Sequence, residues 1–290
     1  MSSRRGFSRF FVVLFLFGIV IELAMIISIL KGDINPDGNI AVVELNGAIE
    51  SSLDTIKALK KYEEKKEVKA IVLRVNSPGG VVGSSQEIHD EIKRINKIKK
   101  VVVSMGDVAA SGGYYVAAPA EKIIANPGTI TGSIGVIANY FIFGDALRKL
   151  NIRWELIKAG ENKDLGSPLR NLRPEERKIM QDMMDDMHDQ FIEAIAQGRK
   201  LDKATVTSLA DGRVYSGRQA KDVQLVDGLG GLEYAIKVAA KLADVKEEDI
   251  ETIYPPKEDD SFFAKVFGKS LISKFLAQDS QANVEYRYVQ

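Results

Sequence analysis

Ser111 lies in GDVAASGGYYVAA (residues 106–118), between two alanines and two glycines, where the backbone can come close to a ligand. Such a serine is a candidate nucleophile. A hydroxyl attacks only when a base takes its proton and donors hold the oxyanion that forms. The backbone N–H of Gly112, directly after the serine, supplies one donor. A second glycine-rich loop, NSPGG (76–80), offers another at Gly79 or Gly80 if the two loops lie side by side. Both loops would serve equally as tight turns between strand and helix.

The base is the harder question. The chain has 290 residues but only two histidines and no cysteine. His89 in EIHDEI and His188 in DDMHDQF sit in charge-rich helical segments and are expected at the solvated surface. No GxSxG elbow is present, which disfavours an α/β-hydrolase triad. Ser–Lys catalysis remains. A free lysine titrates near about 10.4, so a lysine base has to be made neutral, which burial among apolar groups achieves. Spacing and composition do not choose among the chain's many lysines. The lack of cysteine excludes disulfides, thiol catalysis and cysteine metal sites, and two histidines argue against zinc; no metal or cofactor is expected. Lys plus Arg balances Asp plus Glu at 40 each, which argues against nucleic acid as a partner.

The elements that would position these residues alternate. IAVVELNGAI reads as a strand, and SSLDTIKALKKYEEKKEV as a helix starting at a Ser cap. KAIVLRVN is a buried strand ending at SPGG, and SSQEIHDEIKRIN has Ile88, Ile92 and Ile95 at helical spacing. KVVVSM is a strand, SGGYYVAAPA a short helix, KIIANPGTITGSIGVI strand-rich and RWELIKAG a further strand. A long helix runs through RPEERKIMQDMMDDMHDQFIEAIAQGRKL, with Pro174 in its first turn. This order predicts an α/β domain with parallel pairing. Ligands then gather at the carboxyl ends of strands, where both glycine loops lie.

The N-terminus carries MSSRRGFSR and then the apolar run Phe10–Leu30. As a helix that run is about 31 Å long, enough to span a bilayer core. No small-x-small cleavage pattern follows, so an uncleaved signal anchor is expected, with the arginines in the cytoplasm and the rest outside. Glu22 costs the run about 3 kcal/mol, which its many Phe, Leu, Ile and Val residues outweigh. The organisation expected is an anchor (1–31), a catalytic domain (32–254) and a tail (255–290). In the tail, Phe263, Val266, Phe267, Leu271 and Phe275 fall near helical spacing.

VLRVNSPGG, SMGDVAASGGYYVAA, NPGTITGSIGVI, KAGENKDLGSPLR and DGRVYSGRQAKDVQLVDGLGG resemble, in order, the short bacterial signal peptide peptidase A enzymes of serine peptidase family S49. The resemblance covers about residues 40 to 253. It implies a fold of the Clp protease and crotonase group and a membrane-anchored serine endopeptidase that degrades released signal peptides at the bacterial cytoplasmic membrane. Position by position, it implies Ser111 as nucleophile and Lys163 of NKDLGSP as general base. Lys158 of IKAG is the competitor. It further implies oxyanion donors at Gly79 and Gly112, and Ser133 of TGSIG orienting the lysine. Asn76 and Gly80 fall where substrate backbone would bind, a turn-capping role being open for Asn76. Short members resemble rings whose neighbouring subunits complete each site, implying a homo-oligomer, an octamer. The rivals are a SohB-type or stomatin-associated protease with another substrate, a crotonase-like acyl-CoA enzyme, and an inactive membrane scaffold.

Overall fold

The computed structural model describes residues 38–254 and 285–287. The expected anchor Phe10–Leu30, Glu22 within it, and the apolar residues of the tail lie outside these. Among the described residues no helix is long and apolar enough to cross a membrane.

The chain begins with β1 (Ile40–Asn46), α1 (Leu53–Glu64), β2 (Ala70–Ser77), β3 (Gly79–Val81), α2 (Val82–Ile95), β4 (Lys100–Ala110) and α3 (Gly112–Ala117). β5 (Lys122–Ala125), β6 (Ile130–Gly132), α4 (Gly144–Lys149), α5 (Pro174–Arg199) and α6 (Lys203–Leu209) follow. Then come β7 (Val214–Ser216), α7 (Gly217–Asp222), β8 (Gly228–Leu229), α8 (Leu232–Leu242), β9 (Thr252–Ile253) and β10 (Glu285–Arg287).

Eight strands form one sheet in the order β7-β6-β4-β2-β1-β9, with β5 paired to β4 and β8 to β5. The pairs are parallel except β6 with β7, so the sheet is mixed. Parallel pairing predominates, as expected, and β7, a three-residue edge strand, adds the antiparallel partner, which an edge tolerates. The alternation of side chains sorts the strands onto two cores. Ile40, Val42, Ala70, Val72 and Val102 pack on Ala235, Ile236 and Ala239 of α8. Val43, Leu45, Ile71, Leu73, Val103 and Met105 face Leu59, Ile88, Ile92, Tyr114 and Phe191 on the other side.

Two expectations are corrected. Residues 153–160, RWELIKAG, form no strand and pair with none of the described strands. Trp154 is 68% exposed there and Ile157 93%. His89 is not at the solvated surface. It is buried beside Ile88 and Ile92 and meets Tyr115 edge-on, with ring centroids 5.0 Å apart. Burial lowers its pKa, offset in part by its contact with Asp90.

Candidate active site

β2 and β4 hold register from Ala70–Lys100 to Val75–Met105 and then slip, so that Ser77 faces Ala109. The surplus residues of β4 bulge over Asn76, whose Oδ1 accepts from the N–H groups of Asp107 and Val108, each at 3.1 Å. Gly106 runs so close that a Cβ there would lie 2.9 Å from Asn76 Oδ1. Asn76 thus fastens the bulge that brings the end of β4 beside the end of β2.

Ser111 stands at the tip of β4, with φ 53° and ψ −120°, a conformation that costs a non-glycine residue about 1–3 kcal/mol. The surroundings enforce it. The Ser111 N–H donates to Gly132 O at 2.8 Å, and its carbonyl accepts from Tyr115 N–H at 2.9 Å, starting α3. α3 is anchored by Tyr114, fully buried, whose hydroxyl donates to Leu225 O at 2.7 Å. A Cβ on Gly113 would come within 2.8 Å of Ser77 O, so only glycine lets α3 start this close to β2. Ser111 is 1% exposed, and its Oγ has no hydrogen-bond partner among the described residues. Gly112 occupies the first helical position, where an N–H has no intrahelical acceptor.

Across from α3 lies β3. Gly79 has φ +101°, and its N–H donates to Ser77 Oγ at 3.1 Å. Ile49 fastens one edge of β3: its N–H donates to Gly79 O at 2.9 Å and its carbonyl accepts from Val81 N–H at 2.8 Å. A Cβ on Gly80 would lie 2.2 Å from Ile49 O. The opposite edge pairs antiparallel with β10, Tyr286 facing Gly80 and Arg287 facing Gly79. An extended segment of the chain's own C-terminus therefore lies along the strand next to the serine.

Ser133 follows Gly132, the register partner of Ala110, and has φ +50° with its N–H donating to Arg213 O at 2.8 Å. A cavity of about 330 Å³ opens beside it, lined by Ser133, Met184, Asp185, His188 and Asp211. His188 is half-buried rather than a surface residue, and its Nε2 points to no partner among the described residues.

Lys163 is elsewhere. It lies exposed in the loop between α4 and α5, and its amine makes no ion pair or hydrogen bond among the described residues. The loop is clamped around it. Glu176 in the first turn of α5 is 0% exposed and receives Arg170 through both oxygens at 2.7 Å, with Arg173 Nη2 at 2.8 Å. Arg170 also donates to Asp164 Oδ2 from Nε at 2.9 Å and Nη2 at 2.7 Å, and Lys158 donates to Asp164 Oδ1. Arg173 reaches Asn162 Oδ1 at 3.2 Å. Lys158 first and then Arg170 hold the Asp164 pKa down to about 2, and Arg170 and Arg173 lower that of Glu176.

The structure thus brings Ser111, Gly112, Ser133, Gly79 and Gly80 together, with Asn76 behind them. It does not bring Lys163 within hydrogen-bond reach of Ser111. The clamp of Asp164, Arg170 and Glu176 went unread in the sequence, although a capping glutamate two residues after Pro174 was visible. So did β10, a three-residue strand with little pattern of its own.

The sequence profile of Peptidase family S49 matches residues 93–246, a span that holds Ser111, Ser133 and Lys163. The chain belongs to this family. It is a serine-type peptidase similar to SppA. A Clp protease profile matches residues 39–129, in keeping with the α/β fold and its mixed sheet. A protein named as a protease in Synechocystis sp. is 44% identical over 222 residues, 75% of this chain and 80% of that protein. One named as signal peptide peptidase SppA in Enterococcus faecium is 40% identical over 210 residues, 71% of this chain and 59% of the relative. Protease 4 of Haemophilus influenzae is 36% identical over 226 residues, 74% of this chain and 36% of that longer protein.

Proposed function

We propose that this S49 peptidase is a membrane-anchored endopeptidase with a Ser111–Lys163 dyad, acting on signal peptides at the outer face of the cytoplasmic membrane. One observation carries the serine as nucleophile: a buried Ser111 Oγ without a partner among the described residues, held at positive φ beside the N–H of Gly112; Lys163 as its base follows from the family motif NKDLGSP. Ser111 Oγ attacks the peptide carbonyl carbon while its proton passes to Lys163 Nζ, and the N–H groups of Gly112 and Gly79 receive the oxyanion. For that, the Gly79 N–H turns from Ser77 Oγ to the substrate. The lysine ammonium then protonates the leaving amine. Water, deprotonated by the neutral lysine, hydrolyses the ester and frees Ser111. The substrate adds as a strand along Gly79–Val81, the edge that β10 now pairs with. The anchor and the signal-peptide substrate rest on Phe10–Leu30 and on the name of the Enterococcus relative.

Lys163 comes to Ser111 from a second copy of the chain. Ser111 Oγ has no hydrogen-bonded base among the described residues, and Lys163 lies exposed and unpaired among them. The segment leading to it exposes Phe141 and Ile157, at 83% and 93%, an apolar surface of the kind that subunit interfaces cover.

The full chain carrying Ser111→Ala or Lys163→Ala is expected to lose peptide hydrolysis by at least about 1,000-fold. Co-assembly of the two inactive variants is expected to restore activity at about a quarter of the sites, since half of each pairing is intact. Activity surviving in either single variant would refute its part of the dyad, and no recovery on mixing would refute delivery by a second copy.

A further inference from the structure

An aspartate beside a lysine base is chemically awkward. Asp164 is the next residue after Lys163, and a free carboxylate there would hold the lysine's proton through an ion pair. Yet both of its oxygens are occupied. Oδ1 takes the Lys158 ammonium, which also donates to Glu161 O at 2.6 Å. Oδ2 takes the Arg170 guanidinium through two bonds. The other charged side chains of the loop and of the helix turn that follows it pair among themselves. Lys158, Glu161 and Asp164 come from the loop itself, Arg170 and Arg173 from its end, and Glu176 from α5. Glu161 lies 3.8 Å from Arg173, and Glu176 is shared by Arg170 and Arg173. Three carboxylates are matched by three cations, and Lys163 is the cation left over.

We propose that Lys158 and Arg170 keep Lys163 available for proton transfer by taking up both oxygens of Asp164. This rests on the reading of Lys163 as the base. It gives Lys158 a purpose distinct from catalysis: it is a tuning residue that never touches substrate. It also explains an arrangement that mere fastening would not need. Arg170 alone ties Asp164 to Glu176, whereas Lys158 takes Oδ1, the oxygen that Arg170 leaves open.

The test is the pH dependence of kcat/KM in the full chain. Lys158→Met opens Oδ1 and is expected to move the acid limb of the profile up by about one pH unit, a tenfold loss at fixed pH below the limb, with the high-pH plateau kept. Lys158→Arg, which can still close Oδ1, is expected to leave the limb where it is. Lys158→Met combined with Asp164→Asn is expected to return the limb to its wild-type position or below, because the competing carboxylate is gone. Asp164→Asn alone is expected to leave it there too, a variant that does not depend on Lys158 folding effects. A limb unmoved by Lys158→Met, or a shift that survives Asp164→Asn, would overturn the proposal. Lys163→Ala, run alongside, separates the two levels. If it stays active, the base is wrongly assigned; if it is inactive while the limb stays fixed in Lys158→Met, only the tuning is wrong. A lysine that merely fastened the loop would change stability and leave the limb in place.

Discussion

Ser111 and Lys163 stand on loops built in opposite ways. The serine is packed from every side: β4 leads into it, Gly132 holds its N–H, Tyr114 pins the helix behind it, and its backbone is strained into place. The lysine projects from a loop without strand or helix, fastened by ion pairs to the first turn of α5. Apolar packing fixes position whatever the pH or salt, whereas ion pairs hold only while their carboxylates stay charged. On the proposed dyad, one half of the site is finished inside a single chain, and the other is presented at its surface.

The packed half breaks by sterics. In Gly80→Ala the new Cβ would meet Ile49 O at 2.2 Å, and backbone cannot yield as a side-chain end can. β3 is expected to shift off the serine, with peptide hydrolysis down more than about 100-fold and a stability loss of about 1–3 kcal/mol, read by thermal melting. Gly83→Ala is the control, since nothing lies within 4 Å of its Cβ and α2 gains about 0.5–1 kcal/mol of helix propensity. Equal loss in both variants would show that β3 is not held by this close approach.

The fastened half breaks by acid. Carboxylates whose folded pKa is depressed stabilise fully above their unfolded values, about 4, and lose that contribution as pH falls towards the folded value. For Asp164 that value is about 2, and for Glu176 the direction is the same. Between about pH 4 and 2 the segment 158–170 is expected to lose hydrogen-exchange protection before the strands around Ser111. At neutral pH, Glu176→Gln is expected to produce the same local opening, by tenfold or more, with β4 unchanged. Opening of both halves together would place the clamp within the core's cooperative unit and erase the contrast.

The same contrast explains what the sequence disclosed. The packed half was legible because strands, glycines and Ser111 are contiguous motifs whose local geometry carries the meaning: IVLRV into NSPGG, VVVSM into ASGG. His89 misled because neighbouring charges hid that its own side chain turns towards Tyr115. RWELIKAG misled for a related reason, since strand propensity means nothing without an edge to join. Nothing local says that Arg170 will bridge Asp164 and Glu176, six residues to either side. Nor does spacing reveal Lys163, whose selection rested on the family resemblance and which makes no hydrogen bond to Ser111 in the same chain.

The smallest effect expected is at the edge of β3 that β10 covers. β10 supplies only three residues, Glu285–Arg287, paired antiparallel to Gly79–Val81, the strand on which a substrate would lie. Being tethered, such a segment competes at an effective concentration that free peptide must match, yet three residues of main-chain pairing are weak. Ending the chain at Val284 is therefore expected to lower KM for a short peptide by about two- to tenfold with kcat unchanged, because an occupant that binds only the free enzyme taxes binding and not chemistry. Adding back the peptide EYRYVQ should raise KM again in proportion to its concentration. A truncated chain with KM unaltered would mean that β10 leaves the edge at no cost, and one with KM raised would make β10 part of the substrate's seat.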